Sequence, residues 1–249
     1  YRELLERLVI RDIKVRYKQT VIGGMWAILQ PFLTMVVFTV FFGKVVNVPS
    51  DGVPYAVFSY SGLLLWTYFS NTLTSSANSL ISNQALVSKI YLPRLLIPLS
   101  TTVTGLIDYG IASIIMVGFL IYYQFVPSLY IWMLPFVLFV TWMFVSGLGF
   151  WLEALNVKYR DVRYAVPFFT QLLIFTTPVI YPLSISGKFA WLLNLNPLTG
   201  LVETHRAIIL NHAPINFSFF GVSVLLSIIM FLLGLAYFKK VEKEFADVI

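Results

Sequence analysis

The sequence predicts an all-α integral membrane protein, and three observations carry that class. Of 249 residues, 59% are hydrophobic and 17% aromatic, while only 11% are charged; ordinary soluble domains carry about a quarter. One water-soluble core could not hide so much apolar surface. The apolar residues lie in long runs without strand-like alternation, each near the roughly 20 residues a helix needs to cross a bilayer. The net charge of +6 suits anionic leaflets as well as nucleic acid, so it decides nothing until the charges are placed. The absence of cysteine excludes disulfides, thiol nucleophiles and thiolate metal sites. The chain opens at Tyr1 rather than Met, so residues can precede it.

Six runs predict six transmembrane helices: 25–43, 55–73, 95–123, 129–152, 164–182 and 217–238. The third is long enough to tilt. Prolines 31, 98, 135 and 167 fall inside or near the ends of these runs, where neighbouring helices or water can serve the freed backbone groups. A signal peptide does not suit the first run, because no small-residue cleavage site follows it and five more runs do.

Charge placement predicts orientation. With six spans both termini share a side, and that side receives fourteen Lys and Arg against three (Lys44, Lys188 and Arg206). Both termini are therefore expected in the cytoplasm. The basic segment RDIKVRYKQT carries Arg11, Lys14, Arg16 and Lys18 against the single acid Asp12, and no further charge follows until Lys44. Residues 1–22 are expected to form an N-terminal amphipathic interface helix, with Leu4, Leu5 and Leu8 on one face and Arg2, Glu3, Glu6, Arg7 and Lys14 broadly opposite. Such a helix lies on the membrane surface or docks on a partner. Gly23 and Gly24 would bend the chain into the first span, with Trp26 near the interface.

The connection between spans five and six, 183–212, is apolar in patches too short to cross. It reads as short re-entrant or interfacial outer helices. Asn196 is placed to cap one of them with Pro197 in its first turn, and Glu203 and Arg206 follow.

Chemistry-bearing motifs are sparse. No GxxxxGK[ST] sequence is present, so the chain has no phosphate-binding loop of that type. His205 and His212 lack metal-ligand spacing and read as ordinary interfacial histidines. Asp108 is the one acid deep inside a run, where a charge costs about 2.5–3.5 kcal/mol and must face protein or water. A helix-packing contact with Thr, Tyr or Ser suits it better than a proton or substrate site, since no chain of carriers accompanies it. Glu153 reads as the partner of Lys158 or Arg160. Trp26, Tyr55, Trp132, Trp151, Tyr164, Tyr181 and Tyr237 fit an interfacial aromatic belt. Tyr60, Trp66, Tyr68, Tyr109 and Trp142 are harder to place that way. Packing is the commoner use of such rings, but flat faces with a polar edge could also contact sugars.

At this point RDIKVRYKQTVIGGMWAILQP (11–31) resembles the N-terminal signature of ABC-2 type permeases that export O-antigen, teichoic acid and capsule polysaccharides. The likeness continues through PYAVFSYSGLLLWTYFSN, SLISNQALVSKIYLPRLLIP, NVKYRDVRYAVPFFTQLLIFTTPVIYP and NPLTGLVETHRAIIL, in order along most of the chain. The resemblance implies a homodimer of six-span subunits in the bacterial inner membrane. It implies two copies of a separate nucleotide-binding subunit that hold ATP and Mg, leaving this chain a non-enzymatic permease without cofactor or nucleic-acid partner. It further implies a coupling helix at 82–94, around Asn83, Gln84, Lys89 and Arg94, and outer gate helices at 183–212. The cargo implied is lipid-linked polysaccharide, O-antigen first, with teichoic acid, capsule, or a small lipid or drug as alternatives. Two rival classes fit less well. Half of a secondary transporter would need mid-membrane ion ligands and internal repeats, and a membrane-embedded transferase would need a clustered acid–base set.

Overall fold

The computed structural model describes residues 1–18, 23–89, 92–159 and 161–244, with the side chains of 88, 89 and 244 outside that description. Among the described residues every regular element is a helix. The long helices are α1 (Arg2–Lys18), α2 (Met25–Phe38, continued by a π-helical stretch Thr39–Val45) and α3 (Tyr55–Ala77). Short α4 (Ser79–Ser82) and α5 (Gln84–Lys89) lead to α6 (Leu96–Tyr122). Then come α7 (Leu134–Lys158, entered by a 3₁₀ turn Leu129–Met133) and α8 (Val162–Thr176). A 3₁₀ stretch (Leu183–Phe189) and α9 (Ala190–Leu193) precede α10 (Pro197–Leu210), and α11 (Phe217–Val241) closes the bundle. Gly23 adopts φ +57 before α2, a left-handed conformation that glycine takes without steric cost.

Four stretches are long and apolar enough to cross a membrane: Met25–Val45, Leu96–Tyr122, Leu129–Lys158 and Phe217–Val241. The second and fifth apolar runs of the sequence become helices of another kind. In α3 almost every residue from Val57 to Phe69 is buried. Its Ser and Thr hydroxyls turn back on their own helix: Ser61 donates to the Phe58 carbonyl at 2.7 Å and Thr74 to that of Ser70 at 2.9 Å. That back-bonding lets a helix with so many hydroxyls sit in an apolar centre. At α8 the helix has 15 residues and stops because Pro178 forces Thr177 into extended backbone, φ −108 and ψ 137. Fifteen residues rise about 22 Å, short of the roughly 30 Å hydrocarbon core.

The main core forms around α3, with α6, α7 and α10 packed on it. Phe69 stacks on Phe144 with ring centres 5.6 Å apart, and the Tyr60 hydroxyl donates to the Ala112 carbonyl at 2.8 Å. Helix α11 lies along α7, where Gly147 and Gly234 bring the two backbones together; small residues permit such an approach. A second cluster joins Leu80, Ile97, Phe150, Ala154 and Phe238, with Leu4 against it. One end of the bundle therefore gathers α1, α4 and the end of α11.

Candidate functional site

Helix α1 docks on its own chain. Leu4, Leu8, Asp12 and Arg16 recur every four residues and so share a face. Leu8 is buried, Asp12 accepts from the Ser100 hydroxyl at 2.8 Å, and Arg16 pairs with Asp108 on α6. The Tyr17 hydroxyl also donates to Asp108. Burial, reinforced by that carboxylate, pushes the phenol up to about 12, so it stays a donor. Asp108 is thus a packing residue satisfied by a tyrosine, as expected, and by an arginine that the sequence assigned to the membrane surface. Lys14 and Lys18 are exposed on another side of α1, with Arg7 and half-buried Arg11 along the same stripe. Residues 19–22 of the expected interface segment lie outside the described residues.

The connection after α3 is held from α7. Glu153, buried to 1% exposure, accepts from the Ser79 hydroxyl and, at 2.7 Å, from the Leu80 amide. Asn156 donates to the Ala77 carbonyl at 2.8 Å. The carboxylate so satisfies two free donors where α4 begins. Of the two expected partners of Glu153, Lys158 is exposed and makes no ion pair with it among the described residues, and Arg160 lies outside the described residues. Asn83 donates to the Ser79 carbonyl at 2.8 Å, Gln84 is exposed, and Arg94 donates to the Glu242 carbonyl at 2.5 Å. Residues 90–91 and the Lys89 side chain lie outside the described residues.

At the other end of the bundle Asn196 caps α10: its side-chain oxygen accepts from the Leu198 amide at 3.1 Å, with Pro197 in the first turn. Its amide nitrogen donates to Thr177 at 2.9 Å. Arg206 is wholly buried. Its guanidinium donates to Glu203 at 2.6 Å and to the Pro178 carbonyl at 2.8 Å, and lies 3.8 Å over the Phe58 ring. Gly62 leaves the space, since a Cβ there would stand 2.7 Å from the guanidinium. His205 is a core residue rather than an interfacial one, fully buried with Nε2 2.7 Å from the Tyr109 hydroxyl. Burial, then neighbouring Arg206, holds its imidazole far below the usual range, so it is neutral.

Of the expected belt, Trp26, Trp132, Trp151 and Tyr164 are exposed and Tyr55, Tyr181 and Tyr237 are half-buried, while Tyr60, Trp66, Tyr68 and Tyr109 are buried. Tyr60 and Trp66 belong to the core, and the Trp142 indole donates to Thr102 at 3.1 Å. Of those five, Tyr68 and Tyr109 line the cleft between α1, α2, α3 and α6. No cluster of His, Cys, Asp and Glu suited to a metal occurs among the described residues.

The profile of the ABC-2 type transporter matches residues 3–210. The chain belongs to the ABC-2 type transporter family. Two relatives are matched nearly end to end. It is 29% identical to the O-antigen export system permease protein RfbA of Klebsiella pneumoniae, covering 99% of this chain and 95% of that one. Identity to the protein of the same name from Myxococcus xanthus is also 29%, with the same coverage. The polysialic acid transport protein KpsM of Escherichia coli is 24% identical over 81% of this chain and 79% of its own. In this ABC-2 chain the contacts that sequence reasoning missed, Glu153 with Ser79 and His205 with Tyr109, span 74 and 96 positions. The available signal was the lone acid or imidazole in an apolar stretch, which announces a partner without naming it.

Proposed function

We propose that this chain is the membrane-embedded permease subunit of an ABC exporter that moves lipid-linked polysaccharide, O-antigen in the first place, out of the cytoplasm. The observation that carries the reading is the near end-to-end likeness to two O-antigen export permeases. A second cargo, capsule, has support from the more distant polysialic acid transport protein. The permease itself performs no chemistry. A separate nucleotide-binding subunit holds ATP and Mg, and two copies of it serve a homodimer of this chain.

In this reading all six apolar runs cross the inner membrane, with α3 enclosed by the others and α8 completed by the residues after Pro178. Fourteen Lys and Arg against three support termini in the cytoplasm. The α4–α5 connection then faces the ATPase as the coupling segment, with Asn83, Gln84, Lys89 and Arg94 around it. The 183–212 segment stands at the outer mouth as a gate. ATP drives export only if nucleotide states favour different arrangements of the coupling segment.

Deleting the gene should abolish surface polymer while lipid-linked polymer accumulates inside, and the chain should co-purify with an ATPase subunit in detergent. Unchanged surface glycan together with no ATPase partner would sink the assignment. Which glycan disappears, O-antigen or capsule, decides between the two cargoes. Replacing residues 83–90 with a Gly/Ser stretch should separate ATP hydrolysis from export, and undiminished export would reject the coupling role.

A further inference from the structure

The outer segment between α8 and α11 divides into two parts that are held in different ways. Helix α10 belongs to the core, since every residue from Leu198 to Leu210 except Glu203 is buried. Neither the 3₁₀ stretch Leu183–Phe189 nor α9 contains a buried residue. The large side chains of Ile185, Phe189, Trp191 and Leu192 are at least half exposed. A stretch that buries so little gains little apolar stabilisation and stands at the low end of local stability. Discrete hydrogen bonds hold it instead.

Those bonds lie at its two ends. At the far end the Thr199 hydroxyl donates to the Leu193 carbonyl at 2.7 Å. At the near end Glu203 accepts from the Leu183 amide, and the Ser184 hydroxyl donates to Asp51 at 2.8 Å, across 133 positions. Between the two ends Gly187 has φ 50 and ψ −127, a backbone that glycine adopts without steric cost. Asp51 is fixed independently of Ser184. With Gly52 it forms a turn at φ 49 and 79, and aspartate enters the left-handed region more readily than most residues. The Val53 amide closes that turn on the Ser50 carbonyl at 3.0 Å, and the Ser50 hydroxyl donates to the Val53 carbonyl at 2.6 Å. Val53 is itself buried in the main core. Asp51 is therefore a post on the fixed part of the molecule, and Ser184 lies on the loosely held part.

We infer that the moving part of the outer segment is residues 183–195 rather than α10, and that Asp51 is a positioning residue that fastens it down through Ser184. The inference rests on the exporter reading and deepens it. It names which part of the outer gate moves, and it places the fastener in the connection between α2 and α3. Gly187 is the joint about which the released stretch turns, as hinge residues absorb the backbone change in such motions.

The chain contains no cysteine, so Asp51→Cys with Ser184→Cys allows one intrachain disulfide, between side chains already in contact. In membranes with the ATPase subunit and polymer present, oxidation should form that bond and lower export roughly tenfold by removing the open population. Reductant should restore it. Full export by the cross-linked protein overturns the motion of 183–195, and thiols that do not join overturn the contact. A loss that reductant does not reverse also overturns the proposal. A second readout needs no transport. Lys188 is exposed within the segment, and trypsin cleaves after it when the backbone opens locally. In detergent, Asp51→Ala should speed that cleavage roughly fivefold through loss of one charge-assisted hydrogen bond. Asp51→Asn, which keeps an acceptor oxygen, should stay nearer the parent. An alanine variant cleaved at the parent rate overturns the fastener whether or not the chain exports polymer. The gene deletion is read separately, so failure of the exporter reading is distinguished from failure of the fastener.

Discussion

Arg16 on α1 and Asp108 on α6 form an ion pair across 92 positions of the chain, with Tyr17 completing the carboxylate's contacts. Their side chains are 34% and 23% exposed, so the pair stands between a surface bridge and a buried one. Asp108→Ala should lower stability by about 1–3 kcal/mol, measured by thermal unfolding in detergent. Exchanging the partners, Arg16→Asp with Asp108→Arg, should recover part of the loss as a double-mutant cycle. A single variant as stable as the parent would show that the pair adds nothing to the seating of α1.

Glu153 offers a test of the connection after α3. Glu153→Ala removes the acceptor of Ser79 and Leu80 and should cost about 2 kcal/mol. Glu153→Gln keeps a carbonyl acceptor and should cost less than half as much. If the α4–α5 segment transmits ATP-driven motion, the alanine variant should also export less polymer per ATP hydrolysed. An unchanged ratio would restrict Glu153 to stability.

For Arg206 the expected effect is larger, because removing one partner strands the other charge. Arg206→Met should cost about 3–5 kcal/mol and reduce the monodisperse yield in detergent. Adding Glu203→Gln should restore part of the yield by removing the stranded carboxylate. Arg206→Lys should not rescue, since an ammonium cannot reach Glu203 and the Pro178 carbonyl while stacking on Phe58. Full yield from the lysine variant would show that charge alone matters here.

Two glycines on α11 give opposite expectations. A Cβ on Gly234 would collide with the Gly147 backbone, whereas one on Gly221 meets nothing within 4 Å. Gly234→Ala should force α7 and α11 apart and cost about 1–3 kcal/mol. Gly221→Ala should gain up to about 1 kcal/mol from reduced backbone freedom in the unfolded chain. Comparing their unfolding temperatures checks both, and a harmless Gly234→Ala would remove the close helix crossing.

Some of this architecture was legible residue by residue. Composition alone required apolar helices, Asn196-Pro197 marked the start of α10, and Gly23 marked the break before α2. These signals act within a few residues, so local pattern is enough to read them. That α3 is wrapped by protein follows from packing alone, because an apolar run looks the same whether lipid or other helices cover it. The same limit applied to Tyr60 and Trp66, which pack in the core, and to the partners of Asp108, Glu153 and His205. A buried charge or imidazole must be satisfied, and the sequence states that need. The group that satisfies it is chosen by helix packing across tens of residues, where local pattern carries no information.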